Sequence, residues 1–145
     1  MAANQKPVYP LYPNVGVGQT ITTANTAKDG TGTVVTLYTA GAAATAAGGT
    51  SNGSKCDAVQ VAYTGTSIAT VLRLFINNGS STAVAANNTL FKSVTVAANT
   101  LSEVAAAADF SVPVGLTLPA GYKITATIGT TIAAALSLTA SGGDL

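Results

Sequence analysis

Histidine is absent from this chain. That gap excludes Ser-His-Asp and Cys-His catalysis, histidine-based zinc sites and a histidine pH switch. Cysteine is nearly absent as well: Cys56 stands alone, so no intrachain disulfide forms, and with no neighbouring Cys or His it reads as a small packing residue and not as a metal ligand. Charge is scarce. Asp, Glu, Lys and Arg supply 8% of the 145 residues, against roughly 25% in an average globular protein. Solubility therefore falls to Thr, Ser, Asn and Gly, and a net charge of +1 leaves little electrostatic defence against association. Such a surface suits a protein that ends up attached to something.

The few cations, Lys6, Lys28, Lys55, Arg73, Lys92 and Lys123, are scattered and form no run able to displace counterions from nucleic acid. No stretch approaches the roughly 18 consecutive apolar residues of a membrane span. The start, MAANQKPVYP, lacks the apolar core of a signal peptide, so a chain made in the cytoplasm with no membrane partner is expected.

What is present is β-sheet pattern. The densest stretch is Ser67 to Gly79, SIATVLRLFINNG, apolar with one charge and ended by an Asn-Asn-Gly turn. It predicts a central strand that opens a hairpin, with Leu72, Leu74 and Ile76 on one side and Val71, Arg73 and Phe75 on the other. Arg73 is expected to bury its stem and reach a carboxylate or carbonyl near the sheet rim, as a structural ion-pair partner.

Residues 1–20 differ in kind. Pro7, Pro10 and Pro13 are interleaved with Tyr9, Leu11 and Tyr12, a spacing that favours extended backbone. This predicts an N-terminal arm over residues 1–20, outside a single domain at 21–145, with Pro7, Tyr9, Pro10, Leu11, Tyr12 and Pro13 as the candidate attachment residues. Deleting residues 2–18 is then expected to leave the melting temperature nearly unchanged. Further strands are predicted at Gln19–Thr23, Thr33–Ala40, Asp57–Thr64, Thr89–Ala97 with Leu90, Val94 and Val96 in register, Phe110–Leu118, Tyr122–Ile128 and Ile132–Ala140. The last two read as a C-terminal hairpin. Pro113 suggests an edge or bulge, and Lys92 a strand end. Gly41–Ser54, poor in anything to bury, reads as a long flexible loop, and Leu101–Ala108 as the one short helix. Together these give an all-β antiparallel sandwich or jelly roll of seven to eight strands.

No catalytic or cofactor-binding constellation emerges. Asp29, Asp57, Glu103, Asp109 and Asp144 show no spacing for acid-base work or for a calcium loop, and the glycine pairs lack the Lys-Ser/Thr of a phosphate loop. A carbohydrate-binding adhesion module would need an exposed aromatic platform, for which Tyr38, Tyr63, Phe91 and Tyr122 are the candidates. A non-enzymatic protein without cofactor or metal is expected.

Four stretches carry a resemblance: AKDGTGTVVTLYTAG at 27–41, SIATVLRLFINNG at 67–79, NNTLFKSVTVAANTLSE at 87–103 and LTLPAGYKITATIGT at 116–130. From Ala27 to Gly143 the chain resembles a small β-sandwich virion structural protein of tailed bacteriophages. The resemblance implies a capsid decoration or cement protein on the outside of the major capsid shell, with head-fibre and tail-associated proteins as alternatives. It carries no site residues, because the matching stretches are the punctuation of a β domain. Low charge also favours homo-oligomers held by apolar, hydroxyl-rich contacts, and the resemblance prefers a trimer to a dimer.

Overall fold

Alternating β-branched and small polar side chains dictate most of the secondary structure. In the computed structural model, which describes residues 9–145, they form eight strands: β1 Tyr12–Ile21, β2 Val35–Thr39, β3 Ser54–Tyr63, β4 Thr70–Asn77, β5 Asn88–Val96, β6 Phe110–Leu118, β7 Lys123–Ile128 and β8 Leu136–Asp144. These make two four-stranded antiparallel sheets, ordered β1-β8-β3-β6 and β2-β7-β4-β5. The first half of the chain pairs with the second in mirror order, β1 with β8, β2 with β7, β3 with β6 and β4 with β5. A long hairpin wound into two layers has this pattern, so of the two expected architectures the fold is the jelly roll.

Between the layers lies one core. Leu72 and Leu74 of β4 meet Ile124 and Ile128 of β7, Val59 and Val61 of β3, and Leu136 and Leu138 of β8, all essentially inaccessible to solvent. Cys56, Ala126 and Ala140 fill the narrow places between them. As expected, β4 is an interior strand, with Leu72 and Leu74 inward and Arg73 outward, and the Asn77-Asn78-Gly79 turn leads towards its antiparallel partner β5. Gly79 adopts a φ of 91° there and its N–H is held by the Asn77 side chain at 2.9 Å.

Several local expectations fail for tertiary reasons. Tyr122–Ile128 and Ile132–Ala140 form no hairpin: β7 and β8 lie in different sheets, and the segment between them crosses from one layer to the other. Leu101–Ala108 is not helical. A helix of one or two turns is unstable without packing, and this segment is almost wholly exposed. Conversely, the stretch expected as a flexible loop holds the helix α1, Ala42–Ala46, with Ala44 completely buried. Leu90 does not share a face with Val94 and Val96. An extra residue at Phe91 inserts a bulge into β5, so Leu74 pairs with Lys92 while Phe75 pairs with Leu90, and the face of every residue beyond it is inverted.

All four edge strands are irregular. The register shifts in β1 between Gly16 and Gln19, in β2 at Leu37, in β5 at Phe91 and in β6 around Val114 and Gly115. Bulges twist an edge away from the flat geometry that invites strand pairing between molecules. At the open side between β5 and β6, Lys92 donates to the carbonyl of Pro113 at 2.7 Å and ties one sheet to the other. Across the opposite side, β1 and β2 approach so closely that a Cβ on Gly16 would lie 1.7 Å from the Leu37 oxygen. Only glycine fits there. Gly16→Ala should therefore force the two sheets apart and cost on the order of 2–3 kcal/mol, read as a lowered denaturant midpoint at unchanged circular dichroism.

Candidate functional site

The attachment residues named from sequence fall at the start of β1. Pro7 lies outside the described residues. From Leu11 the backbone is already in the sheet, with its N–H donating to the Asp144 carbonyl at 2.7 Å. Tyr12 and Pro13 then pair with Asp144 and Gly143 of β8. The arm expected over residues 1–20 is thus strand from Tyr12 onward, and residues 12–20 belong to the domain. Prolines obscured this in the sequence, yet an edge strand tolerates Pro13 because no neighbour requires its missing N–H.

Strand alternation divides these side chains into two sets. Asn14 and Ile21 point inward and are buried, and Tyr12 is half-buried with its hydroxyl close against Gly49 of the same chain. Leu11, Pro13 and Val15 point outward, followed by Val17 in the bulge. Leu11 is 73%, Val15 50% and Val17 66% exposed, and Tyr9 just before them is 71% exposed. Pro10 is exposed beside Gly143. The outward stripe therefore includes Val15 and Val17, which the sequence reading passed over. Its signal was an apolar residue at every odd position from 9 to 17.

What holds β1 in place is a buried carboxylate. Asp144, wholly inaccessible, accepts from Asn14 Nδ2 at 2.8 Å, from the Gly41 N–H at 3.1 Å, from the Ala44 N–H at 2.9 Å and from the Ser54 hydroxyl. Asn14 also donates to the Thr39 carbonyl at 2.9 Å, so one cluster ties β1, β2, β3, β8 and the start of α1. Among the described residues no cation takes part. Burial by itself would raise the carboxyl's pKa, but the donors, Ser54 and Asn14 foremost, outweigh it and hold the group below its ordinary value. Nearby, burial pushes the Tyr38 phenol up to about 12 and the Cys56 thiol up to about 11, so both stay neutral at neutral pH.

The two outer faces differ. On the β2-β7-β4-β5 sheet, Phe75, Thr125 and Thr127 face away from the core yet are fully buried. The Asn25–Thr33 loop lies over this face, shaped by Asn25 donating to the Thr31 and Thr33 carbonyls at 2.6 and 2.8 Å, with Gly30 packed on the Phe75 ring. The β1-β8-β3-β6 sheet has no such cover. Its outward residues are small and uncharged, among them Ala58, Gln60, Ala62, Ser111, Ser137, Thr139 and Ser141. The exception is Lys55 and Asp57, which neutralise each other at 2.9 Å.

Comparison with family models, with curated proteins and with solved structures found no match to this chain. Among the described residues, no group of His, Cys, Asp and Glu could hold a metal ion, and no helix is long and apolar enough to cross a membrane. Tyr38 and Tyr63 are buried, and Phe91 and Tyr122 pack half-buried against the core, so these four form no exposed aromatic platform.

Because β1 is a packed strand clamped by Asn14, the expectation for the 2–18 deletion reverses: it should lower the melting temperature sharply. The carboxylate has a pH signature. Its native pKa lies below an unfolded value of about 3.9, so its stabilisation is complete above that pH and is lost as pH falls through the native value. Asp144→Asn should cost roughly 3 kcal/mol at neutral pH and flatten the acid limb, as measured by denaturant titrations from neutral pH down to about pH 2.

Proposed function

We propose that the chain is a non-enzymatic structural protein of a phage particle, a capsid decoration or cement protein that binds the outside of the major capsid shell through β1. One observation carries the reading. A contiguous apolar stripe, Leu11, Val15 and Val17 with Tyr9, is exposed on an edge strand beside a sheet face that bears one self-neutralised ion pair. Exposed apolar patches of this kind mark interaction sites. Desolvating a face of Ser, Thr, Ala and Gln costs less than desolvating charges. The resemblance of residues 27–143 to phage virion proteins supplies the partner and the location: the major capsid protein, at the capsid surface, after synthesis in the host cytoplasm.

Bulges in every edge strand support attachment by side chains and not by strand addition. Glycan recognition loses support, since the aromatic candidates are buried or half-buried. Head-fibre and tail-associated placements use the same surface chemistry and differ in copy number.

Mass spectrometry of purified particles, with copies counted against the major capsid protein, tests the assignment. A decoration protein is present in a fixed ratio to shell subunits; a handful of copies per particle indicates a fibre or tail location, and absence from the particle rejects the proposal. The combined variant Leu11→Ser, Val15→Ser, Val17→Ser should keep its fold, because these side chains are already exposed. Its affinity for undecorated shells should fall by at least about tenfold, measured by co-sedimentation.

A further inference from the structure

Charge is so sparse here that four of the five side-chain carboxylates can be traced to a partner. Asp29 accepts from Thr31, Asp57 pairs with Lys55, Asp109 accepts from the Tyr63 N–H, and Asp144 belongs to the buried cluster. Glu103 is different. Its residue is exposed, and among the described residues its side chain has no hydrogen-bond or ion-pair partner.

Arg73, the chain's single arginine, is its counterpart. The ion pair expected from sequence does not form, and no acceptor among the described residues meets its guanidinium. The side chain is half-buried on the outer face of β4 and packs over the Gly129 backbone, with Nη1 3.4 Å from where a Cβ on that glycine would stand. It borders a depression of about 340 Å³ rimmed by Thr70, Val71, Thr95 and Thr130. A guanidinium carries five donors in a fork that matches a carboxylate. Set among hydroxyls without an acceptor, it forms a receptor for one.

Glu103 is presented in the manner such a receptor requires. Leu101 and Val104 flank it, 42% and 96% exposed. The base of their loop is clamped to the β3–β4 connection by reciprocal backbone hydrogen bonds between Ser67 and Asn99, at 2.8 and 2.9 Å, and by the Leu101 N–H to the Thr66 hydroxyl. Part of the ordering cost of binding is thus already met.

We propose that copies of this chain associate with each other through this pair: Glu103 of one copy enters the Arg73 depression of the next, with Leu101 and Val104 packed around the ion pair. Donor and acceptor are different patches of one chain, so the contact is made twice, reciprocally, in a two-fold dimer, or once per neighbour, head-to-tail, in a ring of three or more copies. The contact goes beyond the shell-binding reading and does not depend on it.

Sedimentation equilibrium of the full chain at micromolar concentration tests the pair. The wild type should form a discrete closed oligomer. Arg73→Glu and Glu103→Arg should each weaken it by at least about tenfold, and the double variant should recover association. Thermal melts establish that each variant is folded. Glu103→Arg, at an exposed loop position, keeps the test decisive should Arg73→Glu unfold the domain. A strictly monomeric wild type overturns the proposal, as does an oligomer indifferent to Glu103→Arg. Loss with Arg73→Glu but not with Glu103→Arg also overturns it, and means that Arg73 receives a carboxylate from another partner.

Discussion

A buried carboxylate held by neutral donors is the constraint on which the rest of this structure depends. Removing Asp144 from water is costly unless every lone pair is satisfied, and the donors that satisfy it come from Asn14, Gly41, Ala44 and Ser54. Those residues lie on β1, at the start of α1 and on β3, so solvating one carboxylate fixes three separate segments against β8. Two of the short helix's N-terminal N–H groups, orphans in any helix, find their acceptor in Asp144, while Ala44 is buried beneath. An alanine run with no such acceptor, Ala105–Ala108, stays non-helical.

Around that clamp the jelly roll divides its surface unequally. One sheet is covered in part by the chain itself, with the Asn25–Thr33 loop packed on Phe75. The other remains open, nearly uncharged, and bordered by the apolar stripe of β1. Edge bulges limit open-ended strand pairing, so apolar exposure is concentrated in side chains that can meet a shaped partner surface. A protein with this little charge resists uncontrolled association through geometry more than through repulsion.

Scarcity of charge also makes the remaining ionic groups specific. Against a background of Thr, Ser and Ala, the half-buried Arg73 guanidinium and the exposed Glu103 carboxylate have no ion-pair partner among the described residues. The same economy explains why Lys92 serves as a strap between the sheets: its ammonium meets a carbonyl at the β6 bulge and not a carboxylate.

By itself the sequence determined the all-β class, the interior position of β4 and the inward placing of Leu72 and Leu74 against Arg73, because period-two alternation is written locally in neighbouring residues. It also marked the edge character of Pro113 and the apolar content of residues 9–13, though not that Tyr12 and Pro13 are strand. Tertiary structure alone decided the rest. Sheet membership of β7 and β8 turned a supposed hairpin into a crossover, and a single inserted residue at Phe91 reversed the face of Leu90. Asp144 carried no local signal, since its side-chain partners Ser54 and Asn14 lie 90 and 130 residues away. Alternation records which residues seek burial; which distant group completes a carboxylate's hydrogen bonds is settled only when the two layers close.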